Sequence, residues 1–169
     1  MFKKDDIIIY SNEGVCKVLE VGPLKDLSDS ESDRLYYKLS PIYGKGVILI
    51  PVDTKIFMRP IITRQEALDL VERIPDIAET PFTFDNQKQL SEYYQSTINS
   101  HKCENLLELI KSVYKKGSEL LNNGKKLGQT DQKYMKRAEE LLHGELAMAL
   151  EIDYDEVPNY IDKSFEKLI

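Results

Sequence analysis

The sequence predicts an α+β fold class: a small N-terminal antiparallel β-barrel followed by an all-helical C-terminal part. Short runs of β-branched and aromatic residues, separated by turn residues, fill the first part of the chain. From residue 63 onward, apolar residues recur at helical spacing instead. With 169 residues, 41% of them hydrophobic, the chain can form two small packed domains. We expect these domains to span residues 1–62 and 63–169.

Five short strands are expected in the first domain. Their sequences are DDIIIY (5–10), VCKVLEVG (15–22), RLYYKLS (34–40), VILIP (47–51) and KIFMRP (55–60). The segments SNEG (11–14) and PIYGKG (41–46) contain the Asn and Gly residues that favour turns. So many short strands in so short a segment are typical of a small antiparallel barrel.

Helical patterns fill the second domain. The first, TRQEALDLVERI (63–74), opens with Thr63 and has Glu66 three residues later, which is the pattern of a capping box. Four more helices are predicted at 88–98, 104–117, 130–152 (capped by Thr130) and 155–169. The apolar face of the helix at 104–117 is predicted to consist of Leu106, Leu107, Ile110, Val113 and Tyr114.

Composition excludes several classes of protein. No apolar run approaches the roughly 18 residues of a membrane span, and no membrane partner is expected. The acidic pair Asp5 and Asp6 interrupts the N-terminus where a signal peptide would be apolar, so we expect a cytoplasmic protein. Cys16 and Cys103 are interpreted as two free thiols of a reducing compartment, with a disulfide as the alternative.

Enzymatic chemistry finds little support in the sequence. His101 and Cys103 lie two residues apart in HKC, and residues at that spacing on a helix do not face each other. His143 belongs to a different predicted helix. The Cys and His residues do not have the spacing of a metal-ligand motif, and the segment GKKLGQT (124–130) does not have the spacing of a phosphate-binding loop. We therefore expect no catalytic residue, no metal and no cofactor.

Positive charge is concentrated in one segment of an otherwise acidic chain. The formal net charge is −6, yet residues 114–137 carry seven basic and two acidic side chains. A solvated helix surface is one interpretation of this run, and a surface that binds nucleic-acid phosphates is the other. The near absence of opposing charge favours the phosphate surface. The candidate DNA-binding residues are Lys115, Lys116, Lys125, Lys126, Lys133, Lys136 and Arg137.

The strand VILIP offers a second candidate site. Alternation along a strand places Val47, Leu49 and Pro51 on one face and Ile48 and Ile50 on the other. One face must belong to the core, and the other, also apolar, is available to dock a partner protein if the strand lies at a sheet edge. A strand covered on both faces, or a barrel that binds no partner, is the alternative.

The chain resembles the CarD/CdnL family of bacterial transcription regulators. The resemblance rests on the order F-K-x-x-D-x-I-x-Y-x-x-x-G-V (2–15), LIPV (49–52) and RPIIT (59–63). At the far end, YMKRAEELLHGELAMAL (134–150) is similar to the family's C-terminal helix, which typically contains A-x-x-L-L-x-x-E-L-A. Because these motifs span nearly the whole chain in the family's order, they identify it as a member.

The resemblance implies a division of labour. A Tudor-like N-terminal barrel would dock on the β subunit of RNA polymerase, with Leu49 and Pro51 at the contact. We add Val47 to this contact, because strand alternation places it on the same face. The helical domain would contact promoter DNA at the upstream edge of the transcription bubble through the basic residues and change the stability of the open complex. These contacts should be sequence-tolerant, because they address phosphates.

Relatives often insert a Trp into the minor groove at that edge, but this chain has no Trp. Phe82 and Phe84 are the nearest candidates for such an apolar wedge. Two other functions stay open at this point. The chain could be an adaptor whose basic loop binds an acidic protein, or a small enzyme that uses His101 and Cys103.

Overall fold

The computed structural model describes residues 1–24, 34–80, 84 and 86–166, without the side chains of 164–166. The chain divides into two compact units, Met1–Ile61 and Ile62–Ile169. The first unit contains a β-sheet and the second contains helices, which confirms the predicted α+β class.

Among the residues described in the first unit, five antiparallel strands form one sheet in the order β4-β3-β2-β1-β5. The strands are β1 (Ile7–Tyr10), β2 (Gly14–Pro23), β3 (Leu35–Pro41), β4 (Ile48–Pro51) and β5 (Met58–Pro60). A 3₁₀ turn, Ser11–Glu13, joins β1 to β2, and Gly14 follows it at a φ of 89° that favours glycine.

The sheet is not a closed barrel, so the expected closure is wrong. Within the described residues, β4 pairs only with β3 and β5 only with β1, which leaves both strands at sheet edges. Both edge strands are short and end in a proline, Pro51 and Pro60, whose missing N–H cannot extend a ladder. The sequence predicted the strands, but closure would require β4 to pair with β5, and the two lie at opposite ends of the sheet although they are consecutive in the chain.

The core of the first unit lies on one face of the sheet. Its most deeply buried side chains come from three neighbouring strands and include Ile8, Cys16, Val18 and Leu39, all 0% exposed. A register shift between Val18 and Glu20 interrupts the pairing of β2 with β3. Such an extra residue bends the long strand β2 and increases its twist.

The described part of the second unit contains five α-helices and two 3₁₀ turns, Ile74–Asp76 and Tyr154–Glu156. The helices are α1 (Arg64–Arg73), α2 (Gln87–Ile98), α3 (Cys103–Asn122), α4 (Gln129–Leu150) and α5 (Val157–Glu166). The capping box at α1 is confirmed: Glu66 N–H donates to Thr63 Oγ1, and Thr63 N–H to the Glu66 carboxylate. The cap of α4 is different from the prediction, because Gly128 stands at the N-cap and the Thr130 hydroxyl donates to Gln87.

One apolar core joins all five helices. Tyr94, Val113, Leu142 and Leu146 are among its fully buried members, and they come from α2, α3 and α4. The prediction for the apolar face of α3 is wrong at one position, because Tyr114 is 71% exposed. The helix turns its core-facing side toward α4, and Tyr114 lies beyond the edge of that side.

A buried carboxylate secures the start of the helical unit. Glu145 of α4 is 2% exposed and accepts a hydrogen bond from the Ile62 N–H at 2.8 Å. Its other oxygen accepts from the Cys103 thiol at 3.1 Å. Arg64 donates to the Leu150 carbonyl at 2.9 Å, so the C-terminal part of α4 contacts the residues at the beginning of α1.

Candidate functional site

The strand β4 presents an apolar face at a sheet edge. Leu49 is 53% exposed, as is Val47 just before the strand, whereas Ile50 is 6% exposed and faces the core. Pro51 is half-buried. The alternation predicted from the sequence is therefore present, and its outward face is accessible beside the unpaired edge of β4.

A groove of about 730 Å³ continues from Leu49 across the outer face of β2 and β3. Phe2, Leu35 and Tyr36 contribute apolar walls, and Leu35 is itself 39% exposed. Lys3, Lys4, Lys38 and Glu20 also line the groove. The surface next to β4 thus combines apolar side chains with more basic than acidic ones.

The basic segment, residues 114–137, begins in the last turns of α3, and a Schellman motif ends that helix within the segment. Gly124, at a φ of 71°, donates its N–H to the Leu121 carbonyl at 3.0 Å. The N–H of Lys125 donates to the Leu120 carbonyl at 2.7 Å. The direction in which the chain leaves α3, and so the position of Lys125, is set by these backbone bonds.

Close packing holds the rest of the loop against α3. Gly117 is buried, and a Cβ built on it would lie 3.0 Å from a methyl carbon of Leu127. The Leu127 side chain therefore packs closely on Gly117, and the loop between α3 and α4 lies directly on the helix. Lys125 and Lys126 are exposed on this loop.

Asp131 connects the beginning of α4 to two other helices. Its side chain is 5% exposed and accepts from Lys116 Nζ of α3 at 3.1 Å. It also accepts a hydrogen bond from the buried hydroxyl of Tyr94 on α2. Burial and the bond to Asp131 raise the pKa of Tyr94, so the phenol remains protonated and donates.

The seven predicted basic residues divide into two groups. Three of them contact carboxylates: Lys115 with Glu79 at 3.4 Å, Lys116 with Asp131 at 3.1 Å and Arg137 with Glu140 at 3.3 Å. The other four are exposed and, in the part of the chain that the structure describes, have no carboxylate within ion-pair distance. These four are Lys125, Lys126, Lys133 and Lys136, and we call them the unpaired lysines.

Helix geometry groups part of this charge on one surface. Lys133, Lys136 and Arg137 are separated by three and four residues on α4, so they share a face of the helix. Lys133 lies 5.5 Å from the centre of the Tyr134 ring. Lys115 and Lys116, in contrast, are adjacent on α3 and extend toward different carboxylates.

Of the two residues predicted as a minor-groove wedge, Phe84 belongs to the described part of the chain. Phe82 lies outside the described residues. Phe84 is 37% exposed, and its ring centre is 5.2 Å from that of Tyr93 on α2. Part of the Phe84 ring is therefore packed against the helical unit.

The residues proposed for catalysis are arranged differently from a dyad. Cys103 is 7% exposed and its thiol donates to Glu145, while His101 precedes α3 in a left-handed backbone conformation. Burial lowers the pKa of His143, whose ring packs edge-on against Tyr154. Both cysteines are free and buried. Within the described ranges, no cluster of His, Cys, Asp and Glu could hold a metal ion.

Sequence patterns missed Asp131 and Tyr114. The sequence shows that Asp131 is an acidic residue near the start of α4. Its bonds to Lys116 and Tyr94, however, depend on how three helices pack. Tyr114 follows Val113 in an apolar run, and only the rotation of the helix excludes Tyr114 from the core.

Among the described residues, none of the helices combines the length and the hydrophobicity that a membrane span requires.

Comparison with protein families identifies the first unit. Residues 2–62 match the family described as the CarD-like/TRCF RID domain. This match covers all five strands of the sheet, including β4 with its exposed Leu49. Among curated proteins, none matches the chain.

Proposed function

We propose that this chain, a CarD-like family member through residues 2–62, regulates transcription by binding RNA polymerase and contacting promoter DNA. In this proposal the first unit docks on the polymerase β subunit. The basic segment of the helical unit contacts DNA phosphates at the upstream edge of the bubble and changes the stability of the open complex. The chain acts by binding alone, as a non-enzymatic bacterial cytoplasmic factor.

The docking half of the proposal is supported by the family match and by the exposure of β4. An edge strand offers unpaired backbone groups to a partner, and exposed apolar side chains beside it contribute buried area on binding. Val47 and Leu49 are each 53% exposed, and Pro51 follows on the same face. We assign these three residues to the polymerase contact.

The DNA-binding half is supported by the unpaired lysines. A lysine that already neutralises a carboxylate gains little from a phosphate, whereas an exposed lysine without a carboxylate releases counterions when it contacts one. Lys125, Lys126, Lys133 and Lys136 are therefore expected to contribute more than the three paired residues. Lys115, Lys116 and Arg137 would lose an internal ion pair on contact with DNA.

The observation that carries the proposal is the occurrence of both features in one chain: a CarD-like domain and a separate helical unit with exposed, unpaired lysines. An overall charge of −6 opposes binding to free DNA. Docking on the polymerase would raise the local concentration of the basic segment near the promoter, so that weak contacts become sufficient. Tethering to the polymerase thus explains how a chain with a net negative charge could still contact DNA.

Crosslinking within the assembled complex tests this proposal against the adaptor function. A photoreactive side chain at position 126 would be introduced into the full chain bound to polymerase and promoter DNA. We expect crosslinks to promoter DNA that decrease steeply as salt increases, because phosphate contacts release counterions. Crosslinks to an acidic protein surface, with none to DNA, would support the adaptor and contradict the proposed DNA contact.

A further inference from the structure

Two large apolar side chains stand out on the surface of α3. Tyr114 is 71% exposed and Leu121 is 66% exposed, the highest values among the described large hydrophobic residues after the terminal Met1. They are seven residues apart, so they lie on the same side of the helix, with the exposed Ser118 between them. We call Tyr114, Ser118 and Leu121 the tyrosine stripe.

The tyrosine stripe lies within the basic segment. Lys115 follows Tyr114, and the Schellman motif holds the Lys125 backbone at the last turn of α3, where its N–H donates to the Leu120 carbonyl. Lys126 comes next and is exposed. Glu119 is the acidic residue on this part of α3, so the surroundings of the stripe carry net positive charge.

A single exposed apolar residue is common on protein surfaces. Here, however, an aromatic ring and a leucine share one helix face and are surrounded by lysines, which indicates a binding surface. Proteins that bind single-stranded nucleic acid combine aromatic side chains, on which bases stack, with basic residues that contact the backbone. Charge complementarity thus favours a nucleic-acid strand over an apolar protein as the occupant of this surface. Phe84 is less suited to stacking, because its ring already packs against Tyr93.

We propose that the tyrosine stripe is a stacking platform for an unpaired base of promoter DNA at the bubble edge, with Tyr114 against the base. Leu121 extends the apolar surface, while Lys125 and Lys126 contact the flanking phosphates. This assignment rests on the proposed function and adds the recognition of single-stranded DNA to it. Because every base has an aromatic face, the contact is tolerant of sequence.

Three variants of the full chain test the platform: Tyr114→Ala, Tyr114→Phe and Leu121→Ala. Their affinities are measured for polymerase alone and for polymerase on a promoter with a pre-melted bubble. We expect Tyr114→Ala to lower the affinity for the bubble complex about tenfold, because stacking is lost. Tyr114→Phe should remain within about twofold of the unmodified chain, since the ring is retained. Leu121→Ala should have an intermediate effect.

Salt dependence separates stacking from phosphate contact. Tyr114→Ala should leave the salt slope of bubble-complex binding unchanged, whereas Lys125→Glu with Lys126→Glu should reduce it. Because Tyr114 is 71% exposed, its substitution is not expected to unfold the helical unit, which circular dichroism would verify.

Each other outcome overturns the platform. If Tyr114→Ala binds the bubble complex normally while the double lysine variant binds weakly, the platform is wrong and the proposed function stands. If both bind normally, the proposed DNA contact fails as well. Weaker binding of Tyr114→Ala to polymerase alone would make the stripe a protein contact, and an equal loss in Tyr114→Phe would exclude stacking.

Discussion

The carboxylate of Asp131 accepts a hydrogen bond from Nζ of Lys116 at 3.1 Å, which ties the first turn of α4 to α3 across the basic loop. The same carboxylate accepts from the Tyr94 hydroxyl of α2. One buried acid therefore joins three helices at the base of the loop that carries Lys125 and Lys126. The position of the proposed DNA contact depends on this junction.

Asp131→Ala should destabilise the helical unit by on the order of 2–3 kcal/mol. The substitution removes one acceptor from the buried Tyr94 hydroxyl and one carboxylate from Lys116, although the partial exposure of Lys116 reduces the second cost. Urea unfolding followed by circular dichroism would measure the change. In combination with Tyr94→Phe the loss should be smaller than the sum of the two single losses. Full additivity would mean that the Tyr94 bond contributes nothing.

Lys125→Glu with Lys126→Glu should weaken the effect of the chain on open-complex stability, because two phosphate contacts become repulsive. Binding to polymerase alone should not change. Lys88→Glu with Lys163→Glu is the matched control, because it alters the charge equally at exposed positions outside the basic segment. Open-complex lifetimes and polymerase pull-down provide the two measurements. Loss of both activities, or an equal effect of the control, would count against the assignment.

Leu49→Asp should abolish polymerase pull-down while the helical unit stays folded, because a charge would replace an apolar contact at the edge strand. Ile56→Asp is the matched control: Ile56 is 44% exposed in the same unit but lies outside β4. Unchanged pull-down by Leu49→Asp would remove this residue from the docking surface.

The stability of the first unit should fall in alkaline solution. Burial, aided by the charge of Glu13, raises the pKa of the Cys16 thiol from 9.0 to about 11. The unfolded thiol ionises first, so the stabilisation is complete below about pH 9 and is lost as the pH rises through about 11.

Cys16→Ala provides the control for this effect, since it has no thiol to ionise. The difference in unfolding free energy between the unmodified chain and Cys16→Ala should decrease by about 2–3 kcal/mol between pH 9 and pH 11. Urea titrations at several pH values would measure it. A difference that is independent of pH would show that burial does not hold the thiol neutral.

Local patterns predicted the elements well, because their causes lie within a few residues. The capping box of Thr63 and Glu66 is a four-residue motif, and it begins α1 as expected. Alternation alone separated Leu49 from Ile50, one exposed and the other buried. Where the physical cause is local, the sequence was sufficient.

Features that depend on tertiary packing were not predictable in this way. The strands β4 and β5 follow each other in the chain, yet among the described residues they do not pair and lie at opposite edges of the sheet, which leaves it open. The exposure of Tyr114 depends on the rotation of α3 against α4, and the burial of Asp131 on the convergence of three helices. Three of the seven basic residues contact carboxylates, and no charge count could reveal this.

The most direct measurement is the lifetime of open promoter complexes formed by bacterial RNA polymerase with and without this chain, after co-purification has established binding. We expect the chain to co-purify with polymerase and to change the lifetime, and we expect Leu49→Asp to restore the unaided value. A chain that fails to bind polymerase, or that binds it and leaves the lifetime unchanged, would contradict the account.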